Sequence, residues 1–183
     1  MVTTFNGDLV LVGNTNGGDF LRLDEGFGWT GNFDFGESLI WTGNPNIIGG
    51  GGPFAMEFAT PIASFGFNIQ ADLLGPFTAG IEVFDPSFSS LGLFTFNGVS
   101  AGGENGSALF VGLNDLSGAN IGAILISTNS GDPFWDNDFA INDPSFTTPE
   151  PASMVLIGTV VFLGAVLFRR KLWKAPGQAV QAR

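Results

Sequence analysis

The chain has 183 residues, among them 20 Phe and 28 Gly, and it contains no His, Cys or Tyr. Without cysteine there is no disulfide framework and no thiolate metal site, and without histidine the commonest general base and metal ligand is missing. All 17 acidic residues lie at or before Glu150, whereas Arg22 is the single basic residue before Arg169, so residues 1–148 carry a net charge of about −15, which excludes nucleic acid and anionic membrane surfaces as partners.

The first eight residues have neither a basic nor an apolar region of the kind a signal peptide needs. Residues 9–12 (Leu-Val-Leu-Val) read as a buried strand closed by the Gly13-Asn14-Thr15-Asn16-Gly17-Gly18 turn, and Phe20 to Leu23 read as the next strand. Residues 24–37 read as a loop in which Gly26, Gly28, Gly31 and Gly36 are spaced among Phe27, Trp29, Phe33 and Phe35, and a short strand follows at 39–41. The Gly run at 49–52 is a linker, since no lysine follows it and no helical pattern begins there, as a phosphate loop would require.

Beyond Pro53 a period of two takes over. Phe54, Met56 and Phe58 share one face, as do Phe65, Phe67 and Ile69, and then Ile81 and Val83. Strands are expected at 91–96, 108–113, 121–127 and 138–142, with a long polar loop over 97–107. Ten or so short strands with no helical pattern before Ala152 predict an all-β, antiparallel β-sandwich of jelly-roll type.

Catalytic chemistry is hard to assemble. The only lysines are Lys171 and Lys174; Glu57, Glu82 and Glu104 could in principle pair as in glycoside hydrolysis, yet Glu57 and Glu82 sit in alternating strands where outward-facing glutamates are ordinary, so no enzyme is expected. Asp132, Asp136 and Asp138, with Asn137, crowd one turn and offer hard oxygen ligands suited to Ca²⁺, although the twelve-residue EF-hand pattern is absent. The same residue types also begin turns for backbone reasons alone. Trp135, beside Asp136, is the ring best placed to stack on a sugar, whereas Trp29 and Trp41 read as core.

Near the end, Pro149-Glu150-Pro151 precedes an uncharged run, residues 152–168, and then Arg169-Arg170-Lys171. As a helix this run would be about 25 Å long, close to the thickness of a bilayer core of about 30 Å. The prolines bar any helix from continuing backwards, and the basic cluster marks a cytoplasmic end. One C-terminal transmembrane helix is therefore expected after the sandwich.

The triplet, apolar helix and arginine cluster, in that order, resemble the PEP-CTERM sorting signal of exported bacterial proteins. The resemblance implies that an exosortase recognises Pro149, Glu150 and Pro151, that residues 152–168 act as a membrane stop with Arg169, Arg170 and Lys171, and that the chain is exported. It divides the chain into an ectodomain at 1–147, a sorting signal at 148–174 and a short cytoplasmic tail at 175–183. Because export needs a leader, a signal peptide is expected upstream of Met1. The stretches 28–33, 65–71, 75–79 and 138–143 are also similar to the sandwich ectodomains that carry such tails. The implied protein is held in the inner membrane by one span and then released to the cell surface or the extracellular matrix as a structural or interaction protein. A calcium-dependent carbohydrate-binding module of the exopolysaccharide matrix stands as the alternative.

Overall fold

The computed structural model describes residues 2–5, 8–14, 20–43, 51–132 and 136–148, all within one compact unit, Met1–Pro149. Among the described residues the chain forms twelve strands: β1 (Val2–Phe5), β2 (Asp8–Asn14), β3 (Leu21–Glu25), β4 (Gly28–Trp29), β5 (Ser38–Trp41), β6 (Phe54–Ile62), β7 (Ser64–Ala71), β8 (Gly75–Phe84), β9 (Ser90–Ser100), β10 (Leu109–Asn114), β11 (Ile121–Asn129) and β12 (Phe139–Thr147). They build two six-stranded sheets, one in the order β1-β2-β6-β11-β8-β9 and the other β10-β7-β12-β5-β3-β4. Every pairing is antiparallel except the two-residue match of β3 with β4.

The period of two creates the core. Phe54, Met56 and Phe58 on β6, Phe77, Ala79, Ile81 and Val83 on β8, and Ile124 and Ile126 on β11 point from the first sheet. Phe65, Phe67, Ile69 and Ala71 on β7, with Phe139 and Ile141 on β12, meet them from the second. Each fully buried Phe or Ile removes enough apolar surface to contribute about 1.5–3 kcal/mol. Aromatic pairing adds to this, as where Phe20 meets Phe54 edge-on with ring centroids 4.8 Å apart.

The middle of the second sheet is covered on both faces. Trp29, Phe33, Leu39 and Ala140 form a smaller cluster on its outer side, with Leu23, Trp41 and Ala108 packed against it. This explains why β7 and the first half of β12 are buried at consecutive positions and not only at alternate ones.

Several strands outrun their sequence signals. β9 continues to Ser100, into the stretch expected to be a polar loop, and β8 begins at Gly75, ahead of the Ile81–Val83 alternation. Three prolines lie within strands: Pro76 is the second residue of β8, where a strand's start tolerates it, and the other two each sit at an irregularity. Pro61 sits where β6 uses extra residues against β11, between Glu57 and Ile62, and Pro144 sits in the bulge between Asn142 and Ser145, beside Asp143 at φ 46. A bulge frees a residue from the ladder, so the missing proline N–H costs no hydrogen bond. Residues 24–37, expected to be loop, contribute β4 and two of the best-buried aromatics. Among the described residues no helix is long and apolar enough to cross a membrane, and the expected helix at 152–168 lies outside them.

Candidate functional site

The outer face of the second sheet gathers most of the buried polar groups. The segment after β3 reverses sharply at Gly26, whose φ of 80° is open to glycine at no cost, and Gly26 N–H donates to Trp29 O at 2.9 Å. Trp29 then lies between Phe33 and Trp41, with ring centroids 6.5 Å from each. Asn32 is the hub of the layer. Its N–H donates to Gln70 Oε1 at 2.6 Å, its Nδ2 donates to Ser107 Oγ at 2.8 Å, and its Oδ1 accepts from Ala101 N–H at 2.5 Å. Its carbonyl accepts from Ala108 N–H at 3.1 Å, and that of Gly31 from Glu104 N–H at 2.7 Å. One side chain and its neighbour's backbone thus tie the 101–108 loop and β7 to the covering segment.

Gly31 leaves no room for a side chain. A Cβ there would stand 2.3 Å from Trp29 Nε1 and 2.4 Å from Gln70 Oε1. Glu25 is fully buried beside it, and its Oε1 accepts from Gly31 N–H at 2.6 Å. Burial raises the Glu25 pKa, the Gly31 N–H pulls it back, and the Glu104 carboxylate raises it further. Among the described residues, neither Glu25 Oε2 nor Trp29 Nε1 has a hydrogen-bond partner.

A second group of acids lies at the end of β7 and the start of β12. Ala71 faces Phe139 in the ladder, which sets Asp72 beside Asp138, and Asp72 N–H donates to Asp138 O at 2.9 Å. Trp41 Nε1 donates to Asp138 Oδ1 at 2.6 Å. Burial first, and then the Asp72 carboxylate, push the Asp138 pKa up to about 6 against the opposing pull of the Trp41 bond. Burial also raises Asp72. Thr42 fastens this corner, its Oγ1 donating to Asn137 O at 2.9 Å and accepting from Phe139 N–H at 3.1 Å.

The three candidate calcium ligands are therefore placed differently. Asp138 turns inward to Trp41 and Asp72, and Asp136 Oδ1 accepts from Ser130 N–H at 3.1 Å. Asp132 is half-buried and engaged in an interaction of its own. Among the described residues no group of three or more carboxylates is disposed to hold a metal ion. Trp135 lies outside the described residues, as do Pro149, Glu150, Pro151, Arg169, Arg170 and Lys171. Of the other tryptophans read in the sequence, Trp29 is 4% exposed in the outer cluster and Trp41 is half-buried beside it.

Sequence reading missed the Asp72–Asp138 pair and the Asn32 hub. Part of the first was visible, because the alternation Gly66, Asn68, Gln70 extends to Asp72 on the same face of β7. The partner strand alternates in the same way, with Asp138 and Asn142 around Phe139 and Ile141, but neither stretch reports that the two strands pair.

β12 stays fastened to its last residue. Ala63 N–H donates to Thr147 O at 2.8 Å, and the hydroxyls of Ser64 and Thr147 are 2.7 Å apart. At this same residue a second pattern begins: a family model described as the PEP-CTERM protein-sorting motif matches residues 147–171. The chain carries a PEP-CTERM sorting motif. The match takes in the Pro-Glu-Pro triplet, the apolar run and the basic cluster together. A PEP-CTERM motif implies an exported protein with a membrane-anchored sorting signal that an exosortase processes. A search of curated proteins finds no match to the chain.

Proposed function

We propose that this is a non-enzymatic structural or interaction protein, displayed at the cell surface or in the extracellular matrix after exosortase processing. The observation that supports the reading is the placement of the PEP-CTERM motif, which starts at residue 147 where the last strand of a folded all-β domain ends. In this reading the sandwich is the delivered cargo, and residues 149–171 are its address. Pro149, Glu150 and Pro151 serve as the recognition element, residues 152–168 halt the chain in the inner membrane, and Arg169, Arg170 and Lys171 keep the end in the cytoplasm. The acidic surface suits life outside the cell, where like charge keeps domains soluble.

The test is expression with an export leader in a host that has an exosortase. The parent chain should lose its tail and reach the outside, while replacement of Pro149, Glu150 and Pro151 by alanine should leave a full-length form in the membrane. Identical mass and location for the two would overturn the reading.

A further inference from the structure

We propose that β9 is the surface through which two copies of this chain pair, strand against antiparallel strand, about a two-fold axis. β9 is the last strand of its sheet, with β8 on one side and no described strand on the other. A free strand edge presents a row of N–H and C=O groups that another strand can complete, and proteins that keep such an edge unpaired blunt it with lysine, proline or inward-pointing charge. β9 has none of these in its eleven residues, and its one bulge, at Leu91, lies near its first residue and leaves residues 92–100 in regular register. It instead exposes Leu93 and Val99 at 64% each, with Leu91 at 42% and Phe94 at 40%. The neighbouring edge of the other sheet, β10, adds Phe110 at 64%.

Charge identifies the occupant. Residues 86–114 contain a single ionisable side chain, Glu104, in a domain that otherwise carries fifteen acidic residues against one arginine. A basic partner would be drawn to the acidic remainder and gain nothing at this edge. A partner with the same strong negative charge can approach only where that charge is missing, and a second copy of the chain fits that description. The spacing supports it. Glu82 on β8 lies opposite Leu93, one strand behind the edge. In the paired sheet the two copies of Glu82 would be three strand spacings apart, about 14 Å, whereas screening at physiological salt acts over about 8 Å. The like charges are thus held beyond the range at which they oppose pairing, while Leu93 and Val99 meet their counterparts. The pairing is isologous, so it closes at two copies.

The absence of native cysteine makes the test direct. Leu93, Thr95, Asn97 and Val99 alternate along the outer side of β9; each is replaced by cysteine, one at a time, in the full chain in detergent, with Thr60→Cys on β6 as a remote control. A thiol can join its own copy only near the two-fold axis. Moving two residues along the strand separates the pair by about 13 Å, beyond the limit of about 7 Å for a disulfide. Mild oxidation should therefore yield covalent dimer at one position or two adjacent ones in the series. Adding Leu93→Lys, which sets like charges against each other on the edge, should lower that yield about tenfold. Association through the apolar tail would instead cross-link the series and Thr60→Cys alike and ignore the added lysine. That result, or no dimer at any β9 position, would overturn the proposal.

Discussion

In the middle of the second sheet both faces are buried, and they are buried by different means. On the inner face, β7 and β12 present Phe65, Phe67, Ile69, Phe139 and Ile141 to the opposite sheet, an apolar interior whose stability comes from area and close packing. On the outer face the same strands turn Gln70 and Asn142 toward a covering segment, and Asp138, just ahead of β12, bonds Trp41, so that two tryptophans are interleaved with hydrogen bonds that must be made one by one. The first arrangement tolerates changes that keep volume and apolarity. The second depends on particular partners, because a buried polar group that loses its bond retains its full desolvation cost. One sheet thus shows core formation by pattern beside core formation by specific contacts.

The largest effect is expected on the inner face. Phe67 is 1% exposed at the centre of β7, and Phe67→Ala should cost about 3–5 kcal/mol through lost burial and the cavity left behind. Urea titration of the full chain in detergent, read by circular dichroism, checks it. Phe67→Leu should restore most of that loss, which would separate the need for volume from a need for this side chain.

The outer face should respond to a smaller change in shape. Asn32→Ala removes few atoms but unsatisfies Ser107 and the Ala101 N–H, for an expected loss of about 2–3 kcal/mol. Asn32→Asp keeps the volume and should fare no better, since a third carboxylate would join Glu25 and Glu104. If Asn32→Asp were as stable as the parent, the outer layer would be held by packing after all, and the contrast between the faces would fail.

How far each face was legible follows from where its information lies. The inner face is written locally: Phe54-Ala55-Met56 and Phe65-Gly66-Phe67 announce both strand and orientation through their own alternation. The outer face is written across the chain, since Asn32 meets residues 70, 101 and 107, and no period in the sequence reports a bond between positions 38 or 75 apart. Residues 24–37 look like loop because their glycines break every period, yet those glycines let the segment lie close enough to bury Trp29 and Phe33. The end of β9 was hidden for a related reason. Asn97 and Gly98 are turn formers by composition, but Gly98 is needed in the strand, where a Cβ would stand 2.5 Å from the Phe77 ring. The sorting motif was fully legible because an enzyme, not a fold, reads it as linear sequence.

The smallest effect has the opposite sign. Asp138 stands at about 6 in the fold against an ordinary value of 3.8, raised by burial and by Asp72. The folded state therefore holds a proton between those values that the unfolded chain releases, so this group's stabilisation is full below the unfolded value and is lost as pH rises through about 6. The chain should melt higher at pH 5 than at pH 7. Asp138→Asn can still accept from Trp41 while removing the repulsion, and it should stabilise the protein at pH 7 by on the order of 1–2 kcal/mol and flatten this part of the pH profile. Thermal melts of parent and variant at the two pH values check both expectations, and destabilisation of the variant at pH 7 would show that the charge itself is needed at this corner.

The strand that leads to the tail is not at an edge. β12 lies between β7 and β5, paired with β5 at Ala140 and Ile141 and with β7 as far as Thr147. Under the proposed function, drag on the sandwich while its tail holds the membrane would be transmitted along this strand. An edge strand pulled from its end would peel away one bond at a time. A strand pulled along its axis must shear its ladder, and in β12 the long run against β7, joined by β5 at Ala140 and Ile141, would share the load among many bonds at once. The bulge at Asp143 and Pro144 interrupts the ladder near the pulled end, and it is there that slippage would begin. Under the proposed function the sandwich would be joined to its tether by an internal strand, an arrangement suited to bearing tension until the tail is cut.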